Sequence, residues 1–266
     1  MVTRVAAVAA GEARHPVKSA GRALDVLEAL ADPAGPRSLV ELSRSLGIPK
    51  SSLHGILHTL LARGWIAADP TGTRFGLGLR SLQVGAAYLA GTDAGGSLGV
   101  LLDQLAARFG ETVLLCRRAG DAVVVLAKRE SAHTLRPHVP LGARLPAHAT
   151  AAGRALLAQL SDDAVDRLLS WPLPALTERT TTRPEELRAQ LAAVRRRGWA
   201  VVEEESGPGL VGVAVALPLR DPALDALAVV APVNRLGPAT QRRVAVALRA
   251  AAAQARAARA LLGEDF

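Results

Sequence analysis

The sequence predicts an α+β chain in two parts: a small N-terminal unit of helices with a β-hairpin, and a larger C-terminal unit mixing helices with an antiparallel sheet. Three observations predict it. Ser38 to Arg63, SLVELSRSLGIPKSSLHGILHTLLAR, reads as two short helices separated by a glycine turn, a helix-turn-helix. Two short strand-like segments follow around the turn Asp69-Pro70-Thr71-Gly72, which makes a wing. From Ser97 onward, helical apolar spacing alternates with apolar strand-like runs. The expected division is a loose, disordered tail over 1–16, a winged helix-turn-helix over 17–78, a linker helix over 79–96 and a second domain over 97–266.

Taken in order, Ser19 is placed to cap a first helix with the stripe Ala23, Leu24, Leu27 and Leu30, and Asp32-Pro-Ala-Gly-Pro36 ends it. Ser38 and Glu41 have the S-x-x-E spacing of a capping box, so the second helix starts at Ser38. Leu39, Leu42 and Leu46 form its apolar stripe, and Gly47 follows where the chain must turn. Pro49 suits the first turn of the third helix. There Leu53, Ile56, Leu57, Leu60 and Leu61 recur on one face, while Ser51, Gly55 and His58 point the other way with His54 beside them. A face of small and hydrogen-bonding residues fits a major groove, where base edges offer donors and acceptors. The candidate DNA contacts are Lys50, Ser51, Ser52, His54 and His58 on this helix, Ser38 at the cap, Arg22 on the first helix and Arg74 in the wing, the last two toward phosphates.

Leu79, Leu82, Ala86 and Leu89 repeat with 3-4-3 spacing, the seam of a linker helix that packs on a partner. Gly91 to Gly96 breaks the chain. Then come a helix over Leu98–Phe109, strands over Glu111–Arg118 and Ala122–Glu130, strand-like Leu135–Val139, and a loop over Pro140–Pro146. Helices follow over Ala149–Leu160 and Asp162–Leu169, and a second capping box at Thr182 and Glu185 starts a helix that ends at Gly198. Ala200–Glu204, Leu210–Leu219 and Ala226–Ala231 read as strands, and Ala239–Leu262 as a long last helix. No internal repeat is visible.

Composition narrows the function classes. With 266 residues, half of them apolar, the chain can build a substantial core. Its net charge of +8 favours a polyanionic partner without deciding for one. The single cysteine, Cys116, rules out an internal disulfide and reads as a core residue of a protein kept in a reducing, cytoplasmic setting. The longest apolar run, Gly209 to Leu219, is about half of the roughly 20 residues that cross a bilayer, so no membrane association is expected.

Several motifs tempt other readings. His54 and His58 have the spacing of zinc-binding helices, but Gly55 stands where the acid would be and no third ligand is near in sequence. Gly207-Pro-Gly209-Leu-Val-Gly212 matches G-x-G-x-x-G, yet a strand-like run follows it where a dinucleotide fold needs a helix. His133, His138 and His148 with Ser131 or Asp121 lack any nucleophile elbow and read as structural or exposed histidines. Arg154 reads as solvated or as part of a subunit interface. No catalytic residue, metal or cofactor is expected.

SAGRALDVLEAL, GIPKSSLHGILHTLLARGWI, RFGLGLRSLQVGAAYL, GETVLLCRR, LGARLPAHATAAGRALLA, LTERTTTRPEELRAQLAAVRRRGWAVVEEESGPG and APVNRL, in that order, resemble the IclR family of bacterial transcription regulators from about Val17 to the end. The resemblance implies a sequence-specific regulator, a dimer or tetramer on a double-stranded DNA operator. Its C-terminal domain would be GAF-like or profilin-like and would bind a small organic effector, an acid in the first instance. It implies effector-binding positions at Leu145, Ala151, Ala152 and Gly153, with Val202, Leu210, Gly212, Ala228 and Val230 on facing strands. Three departures stand out: Gly55 where most members carry arginine, Ala228-Val229-Val230-Ala231-Pro232 where S-x-S-G-P is common, and Gly212 where many have cysteine. The pocket is therefore expected to be more apolar, and its effector more hydrophobic, than a two-carbon acid requires. The alternative is a sensor or enzyme whose helix-turn-helix makes protein contacts only.

Overall fold

The computed structural model describes residues 17–32, 35–92 and 96–261. The expected tail over 1–16 lies outside them. The chain divides into two compact units, Met1–Tyr88 and Leu89–Phe266.

The first unit holds α1 (Lys18–Leu30), β1 (Arg37–Ser38), α2 (Leu39–Leu46), α3 (Lys50–Ala62), β2 (Ile66–Ala68) and β3 (Arg74–Leu77), and α4 (Leu79–Ala90) begins in it and carries the chain past the division at Tyr88. Helix α1 starts two residues earlier than a Ser19 cap implies, after Val17 and without a side-chain cap, so Ser19 lies inside the first turn. At α2 the capping box forms: Ser38 Oγ accepts from Glu41 N–H at 3.3 Å, and Ser38 N–H donates to Glu41 Oε2 at 2.7 Å. Gly47 ends α2 at φ 63°, and Ser43 Oγ donates to the Ile48 carbonyl at 2.7 Å, which pins the turn into α3. Val26, Leu42, Ile48, Leu53, Leu57 and Ile66 form the buried centre. The wing is a three-stranded sheet, β1-β3-β2, whose first strand the sequence did not announce.

The second unit contains α5 (Ser97–Phe109), β4 (Thr112–Ala119), β5 (Ala122–Arg129), β6 (Arg144–Pro146), α6 (Ala151–Leu157), α7 (Asp162–Leu168), α8 (Pro184–Arg197), β7 (Ala200–Glu203), β8 (Leu210–Leu217), β9 (Asp225–Pro232) and α9 (Pro238–Leu261). Its six strands form one antiparallel sheet in the order β6-β5-β4-β9-β8-β7. Helices α5 and α9 cover one face, and α6, α7 and α8 the other.

Period-2 alternation sorts side chains between these layers by size. In β8 and β9, Val211, Val213, Val215, Leu217, Leu227 and Val229 pack toward α5 and α9. Ala214, Ala216, Ala226 and Ala228 face α6. Helix α6, AAGRALL, contributes the small residues Ala151, Ala152, Gly153 and Ala155, which let helix and sheet approach closely.

Three expectations fail in this unit. Leu135–Val139 is not a strand, because Pro137 lacks the N–H that a ladder needs. The segment after it, Pro140–Pro146, expected as a loop throughout, instead ends in β6, an edge strand with Val123 opposite Leu145, where a terminal proline is tolerated. The Thr182 capping box does not form: Pro184 holds the preceding residue extended, so Arg183 at φ −94° and ψ 139° becomes the cap. Among the described residues, no helix is long and apolar enough to cross a membrane.

Candidate nucleic-acid interface and ligand cavity

Helix α3 buries Leu53, Leu57 and Leu60 and leaves Lys50, Ser51, Ser52, His54, Gly55 and His58 exposed. At 3.6 residues per turn, Ser51, His54, Gly55 and His58 fall within about 100° of arc, and Ser52 lies to one side. A methyl group added at Gly55 would meet nothing within 4 Å, so no packing contact requires the glycine.

Ser38 and Arg74 come together at the start of α2. They are register partners in β1 and β3, and the Arg74 guanidinium folds back to donate to the Pro36 carbonyl at 3.1 and 2.6 Å. It also lies 3.4 Å from Glu41 Oε2. Half of its side chain remains exposed, so it is braced to the wing base while keeping an open face. The hairpin is shaped by Asp69, whose carboxylate accepts from Thr71 Oγ1 and from the Thr73 and Arg74 amides. These bonds hold it below the usual carboxylate range. Arg22 sits half-buried on α1.

In the second unit a cavity of about 160 Å³ lies between the N-terminal turn of α6 and the sheet. Eight of the nine expected positions line it: Leu145, Ala151, Ala152, Val202, Leu210, Gly212, Ala228 and Val230. Gly153 does not. A Cβ there would sit 2.2 Å from the Ala147 carbonyl oxygen, and its amide is taken by the Thr150 cap at 3.2 Å. Its role is close packing of α6. Gly212 does open the cavity, since a Cβ would come within 3.2 Å of Ala151 Cβ.

Sequence reasoning missed the other walls: Leu114, Cys116, Val123, His138, Val139, Thr150 and Ser206. Leu114 and Cys116 follow from alternation along β4 once the α6 side of the sheet is known, whereas His138 and Ser206 sit on irregular segments that carry no periodic signal. The Cys116 thiol is buried and pushed up to about 12, by desolvation first and by Asp225 second, so it stays protonated.

Arg154 is neither solvated nor at the surface. It is 2 % exposed and makes a two-pronged pair with Glu205: Nη1 lies 2.7 Å from Oε1, and Nη2 bonds Oε2. Its Nε donates to the His148 carbonyl at 2.6 Å. Burial pulls the Arg154 value below its usual range and the Glu205 partner opposes that shift. His148 is also buried, its Nε2 3.0 Å from the Pro174 carbonyl, and desolvation lowers its value. His133 and His138 are exposed. Among the described residues, no cluster of three or more His, Cys, Asp or Glu could hold a metal ion.

The helix-turn-helix and the cavity-bearing sheet both match known families. The IclR helix-turn-helix domain matches residues 19–70, and the bacterial transcriptional regulator IclR C-terminal domain matches residues 86–257. The chain belongs to the IclR family of bacterial transcription regulators. It is 31% identical over 238 residues to the transcriptional repressor IclR of Escherichia coli, a match covering 88% of this chain and 86% of that one. An IclR transcriptional regulator from Alicyclobacillus acidocaldarius superposes with a TM-score of 0.81 at 28% identity, over 91% of this chain and 98% of that one. An IclR homolog from Microbacterium hydrocarbonoxydans, complexed with 4-hydroxybenzoate, shares the fold with a TM-score of 0.75 at 24% identity, over 88% of this chain and 96% of that one. As an IclR-family member the chain is a DNA-binding transcription regulator and not an enzyme. The reading in which the helix-turn-helix serves protein contacts alone falls away.

Proposed function

We propose that this regulator is a cytoplasmic repressor, working as a homodimer or tetramer, whose hold on its operator changes when a small organic acid with an apolar body enters the α6 cavity. Six strands and the first turn of α6 converge on one cavity, and that observation carries the reading. Its size suits a ring: an apolar cavity of about 150 Å³ takes up a benzene molecule. Its walls are leucine, valine and alanine, with Thr150, Ser206 and His138 as polar side chains. A two-carbon acid would leave most of that apolar surface unmatched. The 4-hydroxybenzoate of the Microbacterium hydrocarbonoxydans homolog is a molecule of this class.

On the DNA side, Ser51, His54 and His58 read base edges, while Lys50, Ser52, Arg22, Arg74 and Ser38 position the head on phosphates. The Ser38 hydroxyl accepts the cap bond and keeps its own proton for a phosphate oxygen.

Isothermal calorimetry with benzoate, 4-hydroxybenzoate, 3-methylbutanoate and glyoxylate tests the effector, and gel shift on DNA upstream of the gene tests the operator. The expected result is binding of an aromatic or branched acid that alters the gel shift, with Lys50→Ala weakening DNA binding at all salt concentrations. Tight binding of glyoxylate alone overturns the effector class. Absence of binding to the upstream DNA at low salt overturns the choice of operator.

A further inference from the structure

The most deeply buried charge of the second unit, Arg154, and its buried partner Glu205 sit beside the cavity. Arg154 lies one turn beyond Thr150, Ala151 and Ala152, which form one wall. Glu205 immediately precedes Ser206, which belongs to another. The segment carrying Glu205 is itself braced. Glu205 Oε2 accepts the Thr181 amide at 2.8 Å, and its carbonyl accepts from Thr180 Oγ1 at 2.7 Å. Glu204 takes φ 55°, a region non-glycine residues rarely adopt, and is held there by bonds between its amide and the Leu210 carbonyl and between its carboxylate and the Gly209 amide. A strained, multiply tied turn is thus fastened to α6 by one guanidinium.

We propose that Arg154 is a positioning residue of the effector cavity: through Glu205 it fixes the first turn of α6 against the 204–206 turn and so sets how readily the two walls part. The inference rests on the cavity being the effector site. Arg154 touches no ligand; it acts by holding Thr150, Ala151 and Ala152 at a set distance from Ser206. A lysine cannot reproduce it, because one ammonium cannot span both Glu205 oxygens and the His148 carbonyl.

Cys116 supplies a reporter that needs no ligand. It is the chain's single cysteine, it lines the cavity and it is 1 % exposed. Methyl methanethiosulfonate reaches it only when the walls separate or the domain unfolds; its thiolate then forms a disulfide with the methylthio group and methanesulfinate leaves. Rates are measured on the full chain across urea concentrations below the unfolding transition. Glu205→Gln is expected to label at least tenfold faster than the parent with little dependence on urea, the mark of local opening. Arg154→Lys falls between the two. Leu248→Ala, a core truncation on the opposite face of the sheet, accelerates labelling only along the steep urea-dependent branch of global unfolding. If Glu205→Gln and Leu248→Ala share one steep slope, the pair merely supports overall stability and the proposal is overturned. An acid that binds in the calorimetric panel should slow Cys116 labelling in the parent. Binding that leaves labelling unchanged places the effector elsewhere, a failure of the cavity assignment that reads out separately from the slopes.

Discussion

Gly153 and Gly212 show how two glycines that look alike in sequence do different work. Gly153 has no room for a side chain because the Ala147 backbone crosses it, so Gly153→Ala must push α6 off the sheet. Overpacking of this kind costs about 1–3 kcal/mol and should appear as a lowered midpoint in urea denaturation. Gly212→Ala meets two side-chain atoms, Ala151 Cβ at 3.2 Å and Val230 Cγ2 at 3.9 Å, and its methyl enters the cavity. It should leave the urea midpoint nearly unchanged and weaken binding of the calorimetric ligand about tenfold or more; unchanged affinity would remove Gly212 from the binding wall. His148 gives a pH signature. Native His148 is buried, with its value lowered from 6.5 by desolvation and by Arg154, against the Pro174 hydrogen bond and the Glu205 and Asp121 carboxylates, which act the other way. Below pH 6.5 the unfolded chain therefore binds a proton that the native state resists, so stability falls as pH drops through 6.5 and levels off below the lowered native value. In His148→Gln that slope over the same window should flatten, as read from urea midpoints.

At the scale of elements, signals contained within a few residues were legible and signals spread between distant residues were not. The Ser38–Glu41 box, Gly47 and the leucine stripe of α3 are local chemistry, and the helices begin and end where that chemistry says. Cavity walls contributed by β4 and β5 were missed because their place depends on which face of the sheet α6 covers. The Arg154–Glu205 pair, separated by 51 residues, left no trace in the sequence. Thr182 misled because its spacing was right while Pro184 moved the cap to Arg183. The Ser38 cap also permits a separation of stability from DNA contact. Ser38→Ala loses the cap, costing about 1 kcal/mol, along with the hydroxyl. Ser38→Asp keeps a good cap and adds a charge that phosphate repels. If Ser38 meets DNA, the aspartate variant should match the parent in thermal midpoint yet bind DNA at least as poorly as the alanine variant. Parent-like DNA binding by Ser38→Asp would confine Ser38 to the helix.

For the whole molecule, regulation requires that a ligand in one unit change what the other does on DNA, and the proposed homodimer would offer the means. Helix α4 buries none of its residues and exposes Leu79 at 70 % and Leu82 at 66 %, an apolar stripe that a single chain leaves in water. A second copy laid along that stripe would bury it and set two α3 helices at a separation that half-sites must match. Leu79→Ser with Leu82→Ser should therefore shift sedimentation toward monomer and weaken operator binding at least tenfold. Calorimetric affinity for the acid, a property of the second unit alone, should stay within a few-fold of the parent. Coupling is reciprocal, so in the parent the operator must change acid affinity by the same factor as the acid changes operator affinity. In the serine double variant both factors should fall toward one together. A variant that remains fully dimeric, or that loses dimerisation while keeping both factors, would place the dimer contact or the coupling outside α4.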